Sequence, residues 1–311
     1  MSLLRPSSHP IKVAHLGSFD ATMPVLRFGS DRPKVLIINN MHGDEVSGFY
    51  VLEKLVSLLP EKFSGTLTII PSANPLGLIH RQRFVPLDEE DLNRGFPPPP
   101  KARGVSAAYK HTLIQLGHAH DFIIDLHTFV LPCLEAGLFL PQSSEKNTAL
   151  VKRFLQALDP ETVFSMDIKR EEQREASALG VYMIAQGKPF VAIEYPPVRQ
   201  INEEFIALLA DNLFHALSSL SSGNASSCTP SKEIHLFERQ QVISQSTGLF
   251  VPTRKLRDEI KINDVIGCMI DSVSLAREEI HSPYQGTLTE IADRQLWRFG
   301  EKLATVGKRI A

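Results

Sequence analysis

The stretch "NNMHGDEVSG", residues 39–48, lies between an apolar run and an amphipathic segment. It places His42, Asp44 and Glu45 within four positions, and each could serve as a metal ligand or an acid. The run "KVLIINN" (34–40) predicts a buried strand, whereas apolar residues at 46, 49, 52, 55, 56 and 59 recur with helical spacing. The stretch therefore predicts a strand-to-helix junction that carries reactive polar groups.

The rest of the first two thirds of the chain continues this alternation. Further strands are predicted at "TLTIIPSAN" (66–74), "EAGLFLP" (135–141), "DFIIDLH" (121–127) and "FVAIEYP" (190–196). Helices are predicted around 105–118, 146–158 and 202–220. Strands that alternate with helices predict an α/β fold with a mixed, largely parallel sheet flanked by helices.

The composition changes after residue 217. The Ser-rich stretch "SSLSSGNASSCTPSKE" (218–233) predicts a linker. Short strand-like runs separated by turn residues follow it, which predicts a small β domain over 234–311. The expected organisation is therefore an α/β domain over 1–217, a linker and a C-terminal β domain.

Composition and charge exclude several classes of function. The 311 residues carry a formal net charge of -2 and no large basic run, which argues against binding to nucleic acid or a membrane surface through charge. Cys133, Cys228 and Cys268 form no CxxC pair, so neither a disulfide framework nor a cysteine zinc ribbon is expected. The N-terminus lacks the apolar core of a signal peptide and no stretch reaches membrane-spanning length, which predicts a cytoplasmic protein.

Polar residues stand where the predicted strands end. His42 and Glu45 follow the first strand, and Asn74, His127 and Glu194 end three others. Ligands of open α/β sheets bind outside the carboxyl ends of the strands, so these side chains should converge on one crevice. Two imidazoles and one carboxylate, with a fourth position left for water, form a common catalytic zinc site. The sequence therefore predicts one Zn²⁺ per chain.

Each of these residues also has a structural interpretation. His127 could be a satisfied buried histidine, and Asp125, two residues earlier on the same face of the strand, could orient its imidazole in either case. His42 could be a cap or a surface residue. Glu194 favours function more strongly, because a carboxylate within a buried apolar strand is costly unless it is paired or binds metal.

A second polar cluster is "RQRFVPLDEEDLNRGFPP" (81–98). Its composition is that of a solvated charged loop, which is the simpler interpretation. Its position after a strand end argues for the site, because Arg83 and Arg94 could stabilise an oxyanion or bind a carboxylate through two parallel hydrogen bonds.

Together these stretches resemble the aspartoacylase/succinylglutamate desuccinylase family of the zinc-carboxypeptidase superfamily. The resemblance depends on "HGDE" (42–45), "ANP" (73–75), "DLNRGFP" (91–97), "DLH" (125–127) and "IEYPP" (193–197), in the family's order. It covers most of residues 30–200. It implies a zinc-carboxypeptidase-like fold and a zinc-dependent deacylase that cleaves the amide bond of an N-acyl amino acid or a similar small amide.

The resemblance also implies roles for individual residues. His42, Glu45 and His127 match the zinc ligands, Glu194 matches the catalytic glutamate that acts as general base and acid, and Arg83 matches the arginine that polarises the scissile carbonyl.

The remaining matches concern substrate binding. Asn93 and Arg94 match the pair that holds the substrate's carboxylate, and Tyr284 in "SPYQG" is a candidate for the tyrosine that often completes such sites. The C-terminal segment resembles the family's β-barrel-like domain, although it has no hairpin lysine typical of lipoyl attachment. Glu89 stands where relatives often have glycine.

Two other functions stay open from the sequence. A carboxypeptidase that acts on peptides or cell-wall fragments would use the same residues, and only substrate profiling separates it from a deacylase. A non-catalytic binding module that has lost its metal is a third hypothesis, which the metal content of the protein would test. The sequence leaves open the acyl group, the amino acid and the oligomeric state, a homo-oligomer included.

Overall fold

The computed structural model describes residues 6–59, 64–166, 178–221 and 234–310. Within these ranges, no helix has both the length and the apolar character needed to cross a membrane. The predicted helices and strands are present, and most of their boundaries shift by only a residue or two; the strand predicted over 66–74 ends at Ile70.

The helices are α1 (Ser47–Leu58), α2 (Pro75–His80), α3 (Val105–Ala119), α4 (Glu145–Leu158), α5 (Leu179–Ala185) and α6 (Glu203–Ser221), with a 3₁₀ turn at Val198–Gln200. The strands before residue 200 are β1 (Ser7–Ser8), β2 (Ile11–His15), β3 (Asp20–Met23), β4 (Leu26–Gly29), β5 (Lys34–Asn39), β6 (Thr66–Ile70), β7 (Phe122–Thr128), β8 (Ala136–Phe139), β9 (Thr162–Ser165) and β10 (Phe190–Tyr195). Those after it are β11 (Leu236–Ile243), β12 (Gly248–Pro252), β13 (Glu259–Ile260), β14 (Val265–Asp271), β15 (Arg277–His281), β16 (Gly286–Ile291), β17 (Leu296–Trp297) and β18 (Lys302–Arg309).

The main sheet has a parallel centre. Strands β6, β5, β7 and β10 lie side by side and run in the same direction, so their carboxyl ends meet at one edge. Strand β8 joins β10 antiparallel, β9 pairs in parallel with β8, and antiparallel β4 and β1 close the other side. The predicted mixed, largely parallel sheet is confirmed.

Both faces of the sheet are covered by helices. Along β5, Val35 and Ile37 pack into a core with α1, α4 and α6, whereas Leu36 and Ile38 pack into a second core with α3 and α5. Successive strand residues point to opposite faces, so a continuous apolar run such as "KVLIIN" needs apolar partners on both. This explains why the strands that carry the site residues are apolar throughout.

The C-terminal strands continue the main sheet. Strand β11 pairs in parallel with β9, and β18, β16 and β13 follow it, while β15, β14, β12 and β17 form a second sheet. A third core fills the space between them and also takes in Leu131 from the α/β part. Helix α6 continues through Ser221, so the first residues of the predicted linker are helical, and 222–233 lie outside the described residues.

Candidate active site

Three predicted ligands meet at the carboxyl edge of the sheet. His42 and Glu45 lie in the turn between β5 and α1, and His127 lies near the end of β7. The Nδ1 atom of His42 is 2.7 Å from Oε1 of Glu45, and the Nδ1 atom of His127 is 2.9 Å from Oε2 of the same carboxylate. One potential ligand atom from each residue lies within 4.8 Å of the other two. Asp44, between them in sequence, is exposed.

The backbone of this turn depends on two residues. Asn40 has a left-handed conformation (φ 60°), and its side-chain amide donates to the carbonyl oxygens of His42 and Glu45 at 2.8 and 2.9 Å. At Gly43 a Cβ atom would lie 2.1 Å from the backbone carbonyl carbon of Gly77, so only glycine fits. These requirements explain "NMHGDE" as a unit, because they turn both ligands toward the same point.

The Nε2 atom of each histidine contacts a further carboxylate, a different one for each ring. Nε2 of His127 lies 3.0 Å from Asp125, as predicted, and Nε2 of His42 lies 3.1 Å from Asp91. Sequence reasoning assigned no role to Asp91, although it opens the "DLNRGFP" motif. Each imidazole is thereby fixed with Nδ1 directed at Glu45, an arrangement that orients metal-ligating histidines and increases their basicity.

The charges of this cluster are strongly coupled. Burial alone would lower the pKa of His127, but the carboxylates of Asp125 and Glu45 outweigh it and raise that pKa well above its usual value. Burial alone would raise the pKa of Glu45, yet the imidazoles of His127 and His42 hold it well below its usual range. A divalent cation bound by these groups would take the place of protons on the imidazoles. The two imidazoles and the carboxylate therefore fit a zinc ion.

Glu194 lies directly beside this cluster. It is partly buried near the end of β10, where it pairs in register with His127 of β7. Burial raises the pKa of Glu194 to about 7, and the charge of Glu45 acts in the same direction. A carboxyl group with such a pKa can both accept and donate a proton near neutral pH.

The loop 81–98 brings its polar residues to the same place. Arg83 binds Asp91 through Nε and Nη2, each at 3.1 Å, and its Nη1 is 3.6 Å from Glu45. Asn93 links the loop to its surroundings, because its amide nitrogen lies 3.3 Å from Nε2 of His127 and its oxygen accepts from the Leu179 N–H. The loop is therefore held against the site, although its composition is also that of a solvated segment.

Arg94 is less constrained than Arg83. Its Nη1 donates to the carbonyl oxygen of Asn93 at 2.8 Å, and no carboxylate of the described residues pairs with it. Because it lines the cavity beside the cluster, its guanidinium is available to an anionic ligand.

A cavity of about 500 Å³ opens onto all these groups. Its lining includes His42, Glu45, Arg83, Asn93, Arg94, His127 and Glu194, but neither Asn74 nor Tyr284. It also includes Arg239, Trp297 and Lys302 from the C-terminal strands. Tyr284, a candidate from the sequence, does not line this cavity. Its backbone forms a turn with the Ser282 hydroxyl, and its ring packs against the third core.

Asn74 has a structural role rather than a place in the cluster. It lies four residues beyond the end of β6, where its side chain accepts from the Gly77 N–H and caps α2. Its amide also donates to the carbonyl oxygen of Arg83 at 3.3 Å. Asn74 thus fixes the start of the loop 81–98 relative to α2.

The catalytic part of the chain and its fold match known proteins. A family model for the succinylglutamate desuccinylase/aspartoacylase catalytic domain matches residues 31–220, more than half of the chain. The chain belongs to this family.

Individual relatives agree with that assignment. An N-alpha-acetyl-L-2,4-diaminobutyric acid deacetylase from Halomonas elongata is 28% identical over 176 residues, which are 52% of this chain and 47% of the relative. The matched part thus spans about half the length of that curated relative.

Solved structures establish the fold. An aspartoacylase family protein from Mesorhizobium loti superposes with a TM-score of 0.81 at 22% identity, covering 99% of this chain and 96% of its own. A metallo-carboxypeptidase from Burkholderia cenocepacia superposes with a TM-score of 0.55 at 18% identity, covering 70% of this chain and 65% of its own. The predicted zinc-carboxypeptidase-like fold class is confirmed.

Proposed function

We propose that this protein is a zinc-dependent amidohydrolase that removes the acyl group from an N-acyl amino acid or a similar small amide. The observation that carries the proposal is the convergence of two Nδ1 atoms and one carboxylate in a cavity that also contains Glu194 and two arginines. Membership of the desuccinylase/aspartoacylase family and the relative that is a deacetylase support the same chemistry.

His42, Glu45 and His127 are the residues that would hold the metal. When bound, Zn²⁺ supplies Lewis acidity, which lowers the pKa of water and polarises a carbonyl group. Asp91 and Asp125 keep the two imidazoles in the orientation that this requires.

Glu194, Arg83 and Arg94 carry out the other steps of the proposed reaction. Glu194 takes a proton from the attacking water and passes it to the leaving amine, for which its pKa of about 7 is suitable. Arg83 stabilises negative charge that develops on the carbonyl oxygen, because its two bonds to Asp91 fix its guanidinium near Glu45. Arg94 binds a carboxylate of the substrate and orients the amide.

The size of the cavity supports a small substrate. A volume of about 500 Å³ lies within the usual range of small-molecule sites. The predicted alternative, a carboxypeptidase acting on peptides or cell-wall fragments, shares the fold and the same catalytic residues, so the decisive comparison is between N-acyl amino acids and peptides as substrates.

Metal content tests the core of the proposal. Elemental analysis of the gently purified protein should give close to one zinc per chain, and His127→Ala should lose it because one of three ligands is removed. His111→Ala, at an exposed position on α3, is the matched control and should retain the metal. If His127→Ala keeps its full zinc content, the ligand assignment is wrong.

A further inference from the structure

Lys110 on α3 is buried, although lysine side chains usually reach solvent. Its side chain is 5% exposed, and it is the only lysine that is buried among the residues the structure describes. Its ammonium forms an ion pair of 2.7 Å with Glu90 of the loop 81–98, whose side chain is 56% exposed. A buried ammonium is costly unless it is paired, and an apolar residue in its place would pack at least as well. Stability alone therefore does not account for this lysine.

A second acidic residue joins the same loop to the start of the same helix. The Asp88 carboxylate accepts from the backbone N–H of Ser106 at 2.9 Å and also from the Ser106 hydroxyl. Glu89, between Asp88 and Glu90, has a left-handed conformation (φ 54°) and an exposed side chain. The chain thus turns at Glu89 and directs the acid on each side of it toward α3, which fixes the orientation of this turn.

The turn leads directly into the part of the loop that belongs to the site. Val85 and Glu90 face each other in an antiparallel bridge, in which the Val85 N–H donates to the Glu90 carbonyl oxygen at 3.0 Å. Asp91 is the next residue along the chain. Its carboxylate lies 3.1 Å from Nε2 of His42 and 3.1 Å from both Nε and Nη2 of Arg83. The link from α3 to Glu90 therefore ends one residue from a carboxylate that contacts two groups of the site.

We propose that Lys110 is a positioning residue, whose ion pair with Glu90 holds Asp91 in contact with the site. Asp91 in turn orients the imidazole of His42 toward the metal and the guanidinium of Arg83 toward the oxyanion. Lys110 does not line the cavity, so it acts only through the loop. The inference rests on the proposed function, and it assigns to α3 a part in the reaction.

The Lys110→Met variant tests the inference through zinc affinity and kinetics. Methionine retains the packing and leaves a Glu90 carboxylate that is largely exposed, so we expect the variant to fold. The Kd for zinc, measured by competition with a chromophoric chelator, should rise roughly tenfold, the lower end of the effect of losing a group that orients a metal-bound histidine. At saturating zinc, kcat on the best amide substrate should fall by about tenfold, because Arg83 loses its fixed position.

A double-mutant cycle determines whether the effect passes through Asp91. In an Asp91→Ala background, Lys110→Met should change the zinc Kd and kcat by less than about twofold, because the contact on which it acts is already lost. A general loss of stability would instead give effects that multiply in the double variant. Glu90→Gln removes the same ion pair from the other side and should have the same effects as Lys110→Met. Glu89→Gln and Lys101→Met, at exposed positions, should match the wild type.

Three results would overturn the positioning role. They are a zinc Kd and a kcat of wild-type size in both Lys110→Met and Glu90→Gln, an equal loss in Glu89→Gln or Lys101→Met, and a full further loss in the Asp91→Ala background. Circular dichroism and thermal melting establish that the compared variants are folded at the assay temperature. If Lys110→Met does not fold, Glu90→Gln takes its place in the cycle, since its side chain lies largely in solvent.

Failure of the proposed function gives a different result. A wild-type protein that binds zinc but hydrolyses no N-acyl amino acid would refute that function, and the zinc-affinity cycle would still decide the positioning role. A wild-type protein that binds no zinc would refute both.

Discussion

At the scale of single residues, Glu194 has a different environment from the other acidic residues of the cluster. Glu45 and Asp91 are held ionised by close cationic or imidazole partners, whereas burial raises the pKa of Glu194 to about 7. Glu194→Gln preserves size and hydrogen bonding but removes the proton acceptor. We expect it to retain zinc and to lose roughly 10²–10⁴-fold in kcat, measured on the best amide substrate. Unchanged turnover would make Glu194 structural, and exposed Asp44 would be the next base to test.

The two arginines of the loop should give different kinetic results. Arg83 is fixed by Asp91 and close to Glu45, so Arg83→Ala should lower kcat and kcat/KM together by on the order of 10²-fold. No carboxylate of the described residues pairs with Arg94, which leaves its guanidinium for a carboxylate of the bound substrate, so Arg94→Ala should mainly raise KM. Arg94→Lys should restore little, because an ammonium lacks the fork geometry.

Controls make this contrast specific. Arg81→Ala removes an exposed cation from the same loop and should change neither parameter. An amide without the carboxylate should be a poor substrate of the wild type and should be little affected by Arg94→Ala. Equal kinetic effects of Arg83→Ala and Arg94→Ala on both substrates would refute the division of roles.

At the scale of elements, β8 is preceded by Glu135, a buried glutamate outside the candidate active site. Glu135 is 3% exposed and its Oε1 atom has no hydrogen-bond partner among the described residues. Burial, with the nearby carboxylates of Glu161 and Asp159, raises its pKa to about 8. A folded-state pKa above the unfolded value means that this group stabilises the fold at low pH and that the stabilisation is lost as the pH rises toward 8.

The Glu135→Gln variant tests this pH dependence. It should gain thermal stability relative to wild type between pH 5 and pH 8, because only the wild type must take up a proton on folding or bury a charged carboxylate. We expect the difference in Tm to grow by at least about 3 °C over that window, in melts followed by circular dichroism. Glu279→Gln, at a side chain that is 67% exposed, should show no such trend. A constant difference at all pH values would show that Glu135 titrates normally.

The elements also show what a sequence can predict. Strands such as Lys34–Asn39 and Phe122–Thr128 were predictable because burial on both faces demands uninterrupted apolar runs. The N-terminal strands, such as Ile11–His15, were missed because they are short and only half-buried. The ligands could be placed because they follow strand ends, whereas the role of Asp91 depends on a contact across 49 residues that local spacing does not encode.

The same limit applies to the ion pairs that Arg239 and Lys302 form with Glu290 in the C-terminal strands. Arg239, Glu290 and Lys302 are separated by 51 and 12 residues, and within a short-stranded β domain each has the sequence pattern of an ordinary surface charge. The pairing of β11 and β16 with β18 brings them together. Tyr284 was only a candidate for the cavity, because a local motif does not encode the direction in which its turn faces; its ring packs against the C-terminal core.

At the scale of the whole molecule, the C-terminal strands and the α/β part share a sheet. Leu236 and Phe237 of β11 pair with Val163 and Phe164 of β9, and Leu131 packs into the C-terminal core. The Leu134 N–H donates to Thr289, and the Ile291 N–H donates to Pro132, each at a distance near 3 Å. The predicted division at 217 and 234 remains a prediction, and these contacts indicate that the two parts depend on each other for stability.

Calorimetry of the full chain tests that dependence. Because the parts share strand pairing and core, we expect one thermal transition whose calorimetric and van't Hoff enthalpies agree. A chain ending at Ser221 should aggregate or melt at a much lower temperature, because it exposes Leu131 and leaves β9 as an apolar edge strand. Two separate transitions in the full chain, one of them reproduced by a well-folded 1–221 fragment, would instead establish independent domains. The C-terminal strands would then fold on their own and dock onto the α/β part to complete the cavity.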